Sequence, residues 1–250
     1  MHDMPRGLDM MIARARAGRG FTLFTVNLDH LVKLRANAAF RAAYARADLI
    51  SADGWPIVWL ARTQDRGAAA PRIARTTGAD LLDPMCRAAA LHGLPVYFIG
   101  PSPASQAQGL AVLRARHPGL VVAGCETPDL PVEADDASVE AIAARLAASG
   151  ARLCVVSLGA PKQELLADRL RRHCPETGFL CVGAALDFIS GHMKRAPLWA
   201  QRAGLEWLWR MLSDPRRLGL RYAACAAAFF RMACPTLFRR NPRLVVIDAD

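Results

Sequence analysis

Residues 95–100 read Pro95-Val96-Tyr97-Phe98-Ile99-Gly100, a run of four consecutive apolar residues closed by glycine and followed by Pro101-Ser102 and a long Ala/Leu/Arg stretch. A strand without polar alternation is apolar on both faces, and it needs helices on both sides to cover it. The same unit recurs along the chain. Residues 21–27, 48–53, 120–126, 152–159 and 178–183 are short β-rich runs, each followed by a helix-compatible segment. Six strands alternating with helices predict an α/β fold built on a parallel sheet.

In such a sheet ligands gather beyond the carboxyl ends of the strands, so the residues just after each run carry the functional reading. The first run ends in Thr25-Val26-Asn27, the second in Ser51-Ala52-Asp53-Gly54, and the third in Gly100-Pro101-Ser102. The fifth ends in Gly159-Ala160-Pro161-Lys162-Gln163-Glu164 and the sixth in Gly183-Ala184-Ala185-Leu186-Asp187. Polar groups from several strands therefore converge on one rim. Asp53 stands out there: a carboxylate at a strand end, followed by a glycine that admits a substrate to the backbone, suits removal of a proton from an alcohol. Asp-Gly is also an ordinary turn. Thr25 and Asn27 flank Val26 and so project to the same side of a strand, as site groups or as caps. Arg75-Thr76-Thr77-Gly78-Ala79-Asp80 sets a guanidinium before a helix start, a phosphate-binding arrangement or a plain cap with an exposed arginine.

Charge is concentrated at one end. Eleven of the 32 Lys/Arg but four of the 22 Asp/Glu lie in residues 194–250, so +7 of the net charge of +10 sits there. This basic segment is expected to meet an anionic partner. The βα alternation stops near residue 194, which divides a core at 1–193 from a basic appendage at 194–250. From Pro215 onward a helix would gather Arg217, Arg221 and Arg231 in one arc and Leu218, Tyr222, Cys225 and Phe229 in another. Such a helix either lies on a membrane surface or packs on the core with a solvated arginine face. Its apolar run, 222–230, is far short of the roughly 20 residues that span a bilayer. Residues 63–72 read as a mobile loop.

Seven cysteines, an odd number with no C-x-x-C pair, read as reduced core thiols of a cytoplasmic protein, consistent with a first twenty residues that carry no secretory core. The six histidines show no ligand spacing, so neither metal nor cofactor is expected. A nicotinamide-dependent oxidoreductase is the first alternative, and the missing G-x-G-x-x-G argues against it. A nucleic-acid-binding protein, suggested by a pI of 9.9, lacks any reading motif, and its tail interleaves arginine with Trp199, Trp207, Trp209, Phe229 and Phe230.

Taken in order, Thr25-Val26-Asn27, Ala52-Asp53-Gly54, Arg75-Thr76-Thr77-Gly78-Ala79-Asp80-Leu81, Gly159-Ala160-Pro161-Lys162-Gln163-Glu164, Gly183-Ala184-Ala185-Leu186-Asp187-Phe188, Arg195-Ala196-Pro197, Gly204-Leu205-Glu206-Trp207-Leu208 and Pro215-Arg216-Arg217-Leu218 resemble the WecG/TagA/CpsF family of bacterial glycosyltransferases over nearly the whole chain. The resemblance implies a Rossmann-like GT-E fold and an inverting, metal-independent transfer of a sugar from a UDP donor to a polyprenyl-diphosphate-linked sugar on the cytoplasmic membrane face. The sugar would be N-acetylmannosamine, its uronic acid or glucose, for teichoic acid, common antigen or exopolysaccharide assembly. Asp53 matches the family's proposed general base and Thr25 the threonine beside it. Asn27, Arg75 and Gln163 match positions lining the substrate pocket. Gly78, Asp80, Gly100, Gly159, Glu164, Asp187 and Arg195 join them as expected substrate-binding positions. Arg210, Arg217 and Arg221 match the appendage that closes over the donor diphosphate and helps hold the enzyme at the membrane, and family habit is compatible with a homo-oligomer. Two positions depart from the pattern: Trp55-Pro56 after Asp53-Gly54 is bulky, and Ala74 precedes Arg75 where an acidic residue is frequent.

Overall fold

The run that predicts the fold, Val96–Ile99, is a strand whose four residues are all buried, with Val96 and Phe98 facing one core and Tyr97 and Ile99 the other. The computed structural model describes residues 4–64, 73–213 and 215–238. Its strands are β1 (Phe21–Val26), β2 (Leu49–Ala52), β3 (Val96–Ile99), β4 (Val122–Glu126), β5 (Leu153–Val156) and β6 (Gly178–Cys181). All six expected runs are strands, shortened at their ends, and every pairing is parallel, in the order β2-β1-β6-β5-β3-β4. The run at 152–159 ends as a strand at Val156; Ser157 adds one last bond from its backbone N–H to Ile99 O of β3 at 2.9 Å, and its hydroxyl turns to Gly183 O.

The helices are α1 (Met4–Arg16), α2 (Leu28–Ala36), α3 (Ala38–Ala45), α4 (Trp55–Gln64), α5 (Gly78–Leu91), α6 (Pro103–Arg116), α7 (Asp136–Ala148), α8 (Lys162–His173), α9 (Ala185–Ser190), α10 (Leu198–Arg202), α11 (Glu206–Ser213) and α12 (Pro215–Phe238). One face of the sheet packs Phe21, Leu23, Phe98 and Val155 against Met11 of α1, Leu82 of α5, Leu113 of α6 and Leu186 of α9. The other packs Phe24, Ile99 and Phe179 against Phe40 of α3, Ile142 of α7 and Leu166 of α8. Each such fully buried side chain contributes about 1.5–3 kcal/mol, so the two cores fix both layers of helices to the sheet. This is the Rossmann-like parallel α/β arrangement that the sequence predicts.

Helix α12 starts at Pro215, where the sequence placed a helix. Its apolar arc is used within the molecule. Cys225 and Ala228 are buried, Phe229 lies against Trp59 of α4 with ring centroids 5.5 Å apart, and Tyr222 lies against Trp207 of α11 at 6.0 Å. Of the two readings of that arc, the structure takes packing on the core. The large apolar side chains that the C-terminal elements leave exposed lie elsewhere, at Leu198, Trp199, Leu212 and Phe230. Among the described residues no helix is long and apolar enough to cross a membrane. Residues 65–72, most of the loop expected at 63–72, lie outside the described residues, as do residues 239–250.

The start of α5 is pressed against the end of β6. A Cβ at Gly78 would sit 2.3 Å from the carbonyl oxygen of Val182, a contact that backbone cannot yield without shifting. The Gly78→Ala variant should therefore lose about 2 kcal/mol or more, lowering the melting temperature by roughly 4–8 °C. Gly219→Ala, in α12 with no atom within 4 Å of the added methyl, should instead gain about 0.5–1 kcal/mol. Calorimetric melts of the two variants check this, and an unchanged midpoint for Gly78→Ala would mean that α5 lifts freely from β6.

Candidate active site

Because every strand runs the same way, the carboxyl ends of β1, β2, β5 and β6 open on one edge of the sheet. Asp53 is the first residue beyond β2, half-buried, and its backbone N–H bonds to Val26 O at 2.8 Å, which ties the ends of β1 and β2 together. Thr25 is buried and stands in register with Ser51. Its carbonyl accepts two ring donors, Tyr44 Oη at 2.6 Å and His30 Nδ1 at 2.7 Å. The second of these requires the proton on Nδ1. Asn27 is the N-cap of α2: its Oδ1 accepts the N–H of His30 at 3.1 Å, and His30 Nδ1 lies 3.4 Å from the Asn27 N–H.

Beside β2 the chain returns as a short extension. Arg75 forms a parallel bridge with Ala52, and Thr76 N–H bonds to Ala52 O at 2.8 Å. Thr77 then caps α5 in a reciprocal pair with Asp80. The Asp80 carboxylate also takes Arg195 at 2.6 Å and Arg75 at 3.4 Å, and Glu206 lies 3.7 Å from each of the two guanidinium groups. Burial alone would raise the Asp80 pKa, but hydrogen bonds from Arg195 and Thr77 and the charge of Arg75 hold it below the usual carboxylate range. Arg75, Asp80 and Arg195 are thus one ion cluster, completed by Glu206.

Two glycines, Gly159 and Gly183, stand just beyond the ends of β5 and β6. Nothing lies within 4 Å of a Cβ built on Gly159 or on Gly183, so both face open space. Gln163 supports that opening from below. It is 1% exposed, its Oε1 accepts the Gly183 N–H at 2.9 Å, and its Nε2 donates to Glu164 Oε1 at 2.8 Å. Glu164 is fully buried, and its Oε2 has no hydrogen-bond partner among the described residues. Burial pushes its pKa up to about 7, against the Gln163 hydrogen bond and the positive charge of Lys33. Lys33 is itself held by Asp29 at 2.7 Å and by Ala160 O at 2.7 Å. Tyr44 stands between the two carboxyl groups: burial raises its pKa, and the charges of Glu164, Cys181 and Asp53 add to that.

The residues singled out from the sequence therefore divide. Asp53, Asn27, Arg75, Gly159 and Gly183 stand at or beyond the carboxyl edge of the sheet with Thr25 buried on β1, whereas Gln163 and Glu164 are buried on α8, Gln163 against the backbone of Gly183. Gly100 is packed against Leu158 and Ser157, and Asp187 accepts the Ser105 hydroxyl at 2.6 Å, so both brace the framework at α6. The side chains of Arg210, Arg217 and Arg221 lie outside the described residues. His30, Tyr44, Lys33 and Ser51 have no counterpart in the sequence reading. For His30 a signal exists, the Asn27-x-x-His30 spacing of a reciprocal cap. For Tyr44, which reaches the strand end from α3, the sequence carries none.

A half-buried carboxylate beside a threonine, an open glycine-lined rim and several guanidinium groups suit proton removal from a hydroxyl and binding of an anion. The chain matches the Glycosyl transferase WecG/TagA/CpsF family over residues 1–243 of its 250.

Glu164 makes the site's stability depend on pH. Its folded-state pKa of about 7 stands above the ordinary glutamate value of 4.5, so the fold favours the neutral form, and stability falls as pH rises from about 4.5 through 7. Replacing it by the isosteric glutamine keeps the bond to Gln163 and removes the charge. Glu164→Gln should raise the melting temperature at pH 8, by up to about 3 kcal/mol of stability, and leave it nearly unchanged at pH 5. Melting curves at the two pH values decide this, and a gain at pH 5 equal to that at pH 8 would show that titration of Glu164 is not the cause.

Proposed function

The chain belongs to the WecG/TagA/CpsF family of glycosyltransferases, enzymes of cell-surface polysaccharide biosynthesis, and from that premise we propose that it transfers one sugar, with inversion, from a UDP-sugar to a sugar carried on a polyprenyl diphosphate. The observation that carries the reading is the position of Asp53. It is a half-buried carboxylate one residue beyond β2, tied by its backbone to the end of β1, the strand that carries buried Thr25. Asp187 serves Ser105, and Glu164 is sealed from solvent.

In this reading Asp53 takes the proton of the acceptor hydroxyl as that oxygen attacks C1 of the donor sugar in a single displacement. The bond from C1 to the departing UDP breaks, and the negative charge grows on the diphosphate. Arginines meet that charge, Arg210, Arg217 and Arg221 from the appendage at 194–250, with no metal or cofactor required. The core at 1–193 supplies the acid-base group and the glycine bed for the donor. The appendage supplies the membrane contact, through exposed Leu198, Trp199, Leu212 and Phe230 among basic residues, and keeps the enzyme on the inner face of the cytoplasmic membrane.

A positioned general base contributes about 10²–10⁴-fold, so Asp53→Asn should reduce turnover by that factor while leaving the melting temperature within a degree or two. The measurement is UDP release from a panel of UDP-sugars, with and without a polyprenyl-diphosphate-linked N-acetylglucosamine or glucose acceptor. Acceptor-dependent release with one donor, lost in the variant, supports the reading and names the sugar. Full turnover with asparagine at 53 removes Asp53 from the mechanism.

A further inference from the structure

Beside the rim lies a separate cavity of 210 Å³ between α4 and α10, lined by Trp55, Arg62, Arg75, Gln201 and Arg202 among others. Sites that enclose a drug-sized ligand run to about 300–1,000 Å³, so this one suits a headgroup-sized anion and not a whole nucleotide-sugar. Among the described residues no carboxylate lines it. Arg62 spends one nitrogen on Ile73 O at 3.0 Å, and Arg202 makes no ion pair among the described residues. Arg75 has only the loose contacts to Asp80 and Glu206 at 3.4 and 3.7 Å. Three guanidinium groups converging on one concavity, with charge to spare, form a receptor for a phosphate-type anion.

The wall of this cavity is the bulky residue that departs from the family pattern. Gly54, at φ +104, turns the chain so that Trp55 is directed at Gly204, where an added Cβ would meet the indole at 2.3 Å. The indole is thereby wedged between the start of α4 and the loop after α10. Trp55 is two residues from Asp53, a backbone span of at most about 7 Å, so the cavity wall and the proposed base belong to the same turn of chain. On the outer side, Leu198 and Trp199 precede Arg202 by four and three residues on α10, hence on the same side of that turn, and they are 67% and 64% exposed. An apolar chain leaving the cavity would cross them at the depth where tryptophan favours a membrane interface.

We infer that the cavity of Arg62, Arg75 and Arg202 against Trp55 holds the diphosphate of the lipid-linked acceptor, with the prenyl chain leaving over Leu198 and Trp199. This rests on the glycosyltransferase reading for the identity of the lipid. It assigns Arg62 and Arg202 to the acceptor, and it leaves the donor to the open glycines of β5 and β6.

The test is equilibrium binding of dodecyl diphosphate, inorganic pyrophosphate and UDP, each titrated separately by calorimetry into the full-length protein and its Arg62→Ala, Arg202→Ala and Trp199→Ala variants. Wild type should bind dodecyl diphosphate at least about 10-fold more tightly than pyrophosphate. Each arginine variant should lose about 10-fold or more for dodecyl diphosphate, with UDP affinity within twofold and an unchanged melting temperature, and Trp199→Ala should lose the preference over pyrophosphate. A fall in UDP affinity in the arginine variants would hand the cavity to the donor and overturn the assignment. So would unaltered dodecyl diphosphate binding, or none in wild type. Because the readout is binding, a protein that binds as expected but transfers no sugar would fail the proposed reaction and keep the anion site.

Discussion

Asp80 is the point at which three parts of the molecule meet. Its carboxylate closes the cap of α5 through Thr77, accepts Arg195 from the segment that opens the basic appendage, and holds Arg75 from the chain returning beside β2. A carboxylate half removed from water is stable there only because those donors surround it, and they hold its pKa below the ordinary range. The residues around it follow. Gly78 can press α5 onto Val182, Ala196 and Ala200 are buried behind Arg195, and Glu206 fixes the start of α11 near both arginines. The segment that opens the appendage is therefore ion-paired to the start of α5 and, through Glu206, to the chain beside β2.

The two edges of the sheet show why position matters more than residue type. At the amino edge Asp48 is as polar as any strand-end carboxylate, yet Arg14 reaches it at 3.1 Å, Arg171 at 2.6 Å, and Thr22 through both backbone and hydroxyl. Its lone pairs are consumed by structure. Asp53, five residues on, stands at the carboxyl edge, where its backbone joins the end of β2 to that of β1. A parallel sheet creates this asymmetry, since loops at the carboxyl ends are free of the returning chain and can be shaped for a ligand.

Much of this was legible in the sequence. The six apolar runs declare the parallel sheet because a strand buried on both faces cannot afford polar alternation, and the helix starts at Asn27, Thr77, Ser102 and Pro215 follow from capping chemistry. The strand-end polar residues mark the rim for the same topological reason. What the sequence could not separate was surface from interior at that rim. Gln163 and Glu164 stand two and three residues beyond Pro161 and look like rim groups, but one helical turn rotates them under Gly183 and against α2. Nor could it show that Tyr44 of α3 folds back onto Thr25, because nothing local specifies a contact nineteen residues apart.

The tail shows the limit of amphipathicity as an argument. A helix with one apolar arc satisfies a membrane and a protein core equally, and the competition is settled by what else the chain can offer that arc. Here α4 presents Trp59 and α11 presents Trp207, and α12 spends Phe229, Cys225 and Tyr222 on its own molecule. The large apolar side chains left exposed are ones the periodicity does not single out: Leu198 and Trp199 on a single turn of helix, Leu212 on α11, and Phe230, which stands 70% exposed beside a packed Phe229. Leu198 and Trp199 share their helix with Arg202 of the arginine cavity, next to the segment that Asp80 fastens to the core.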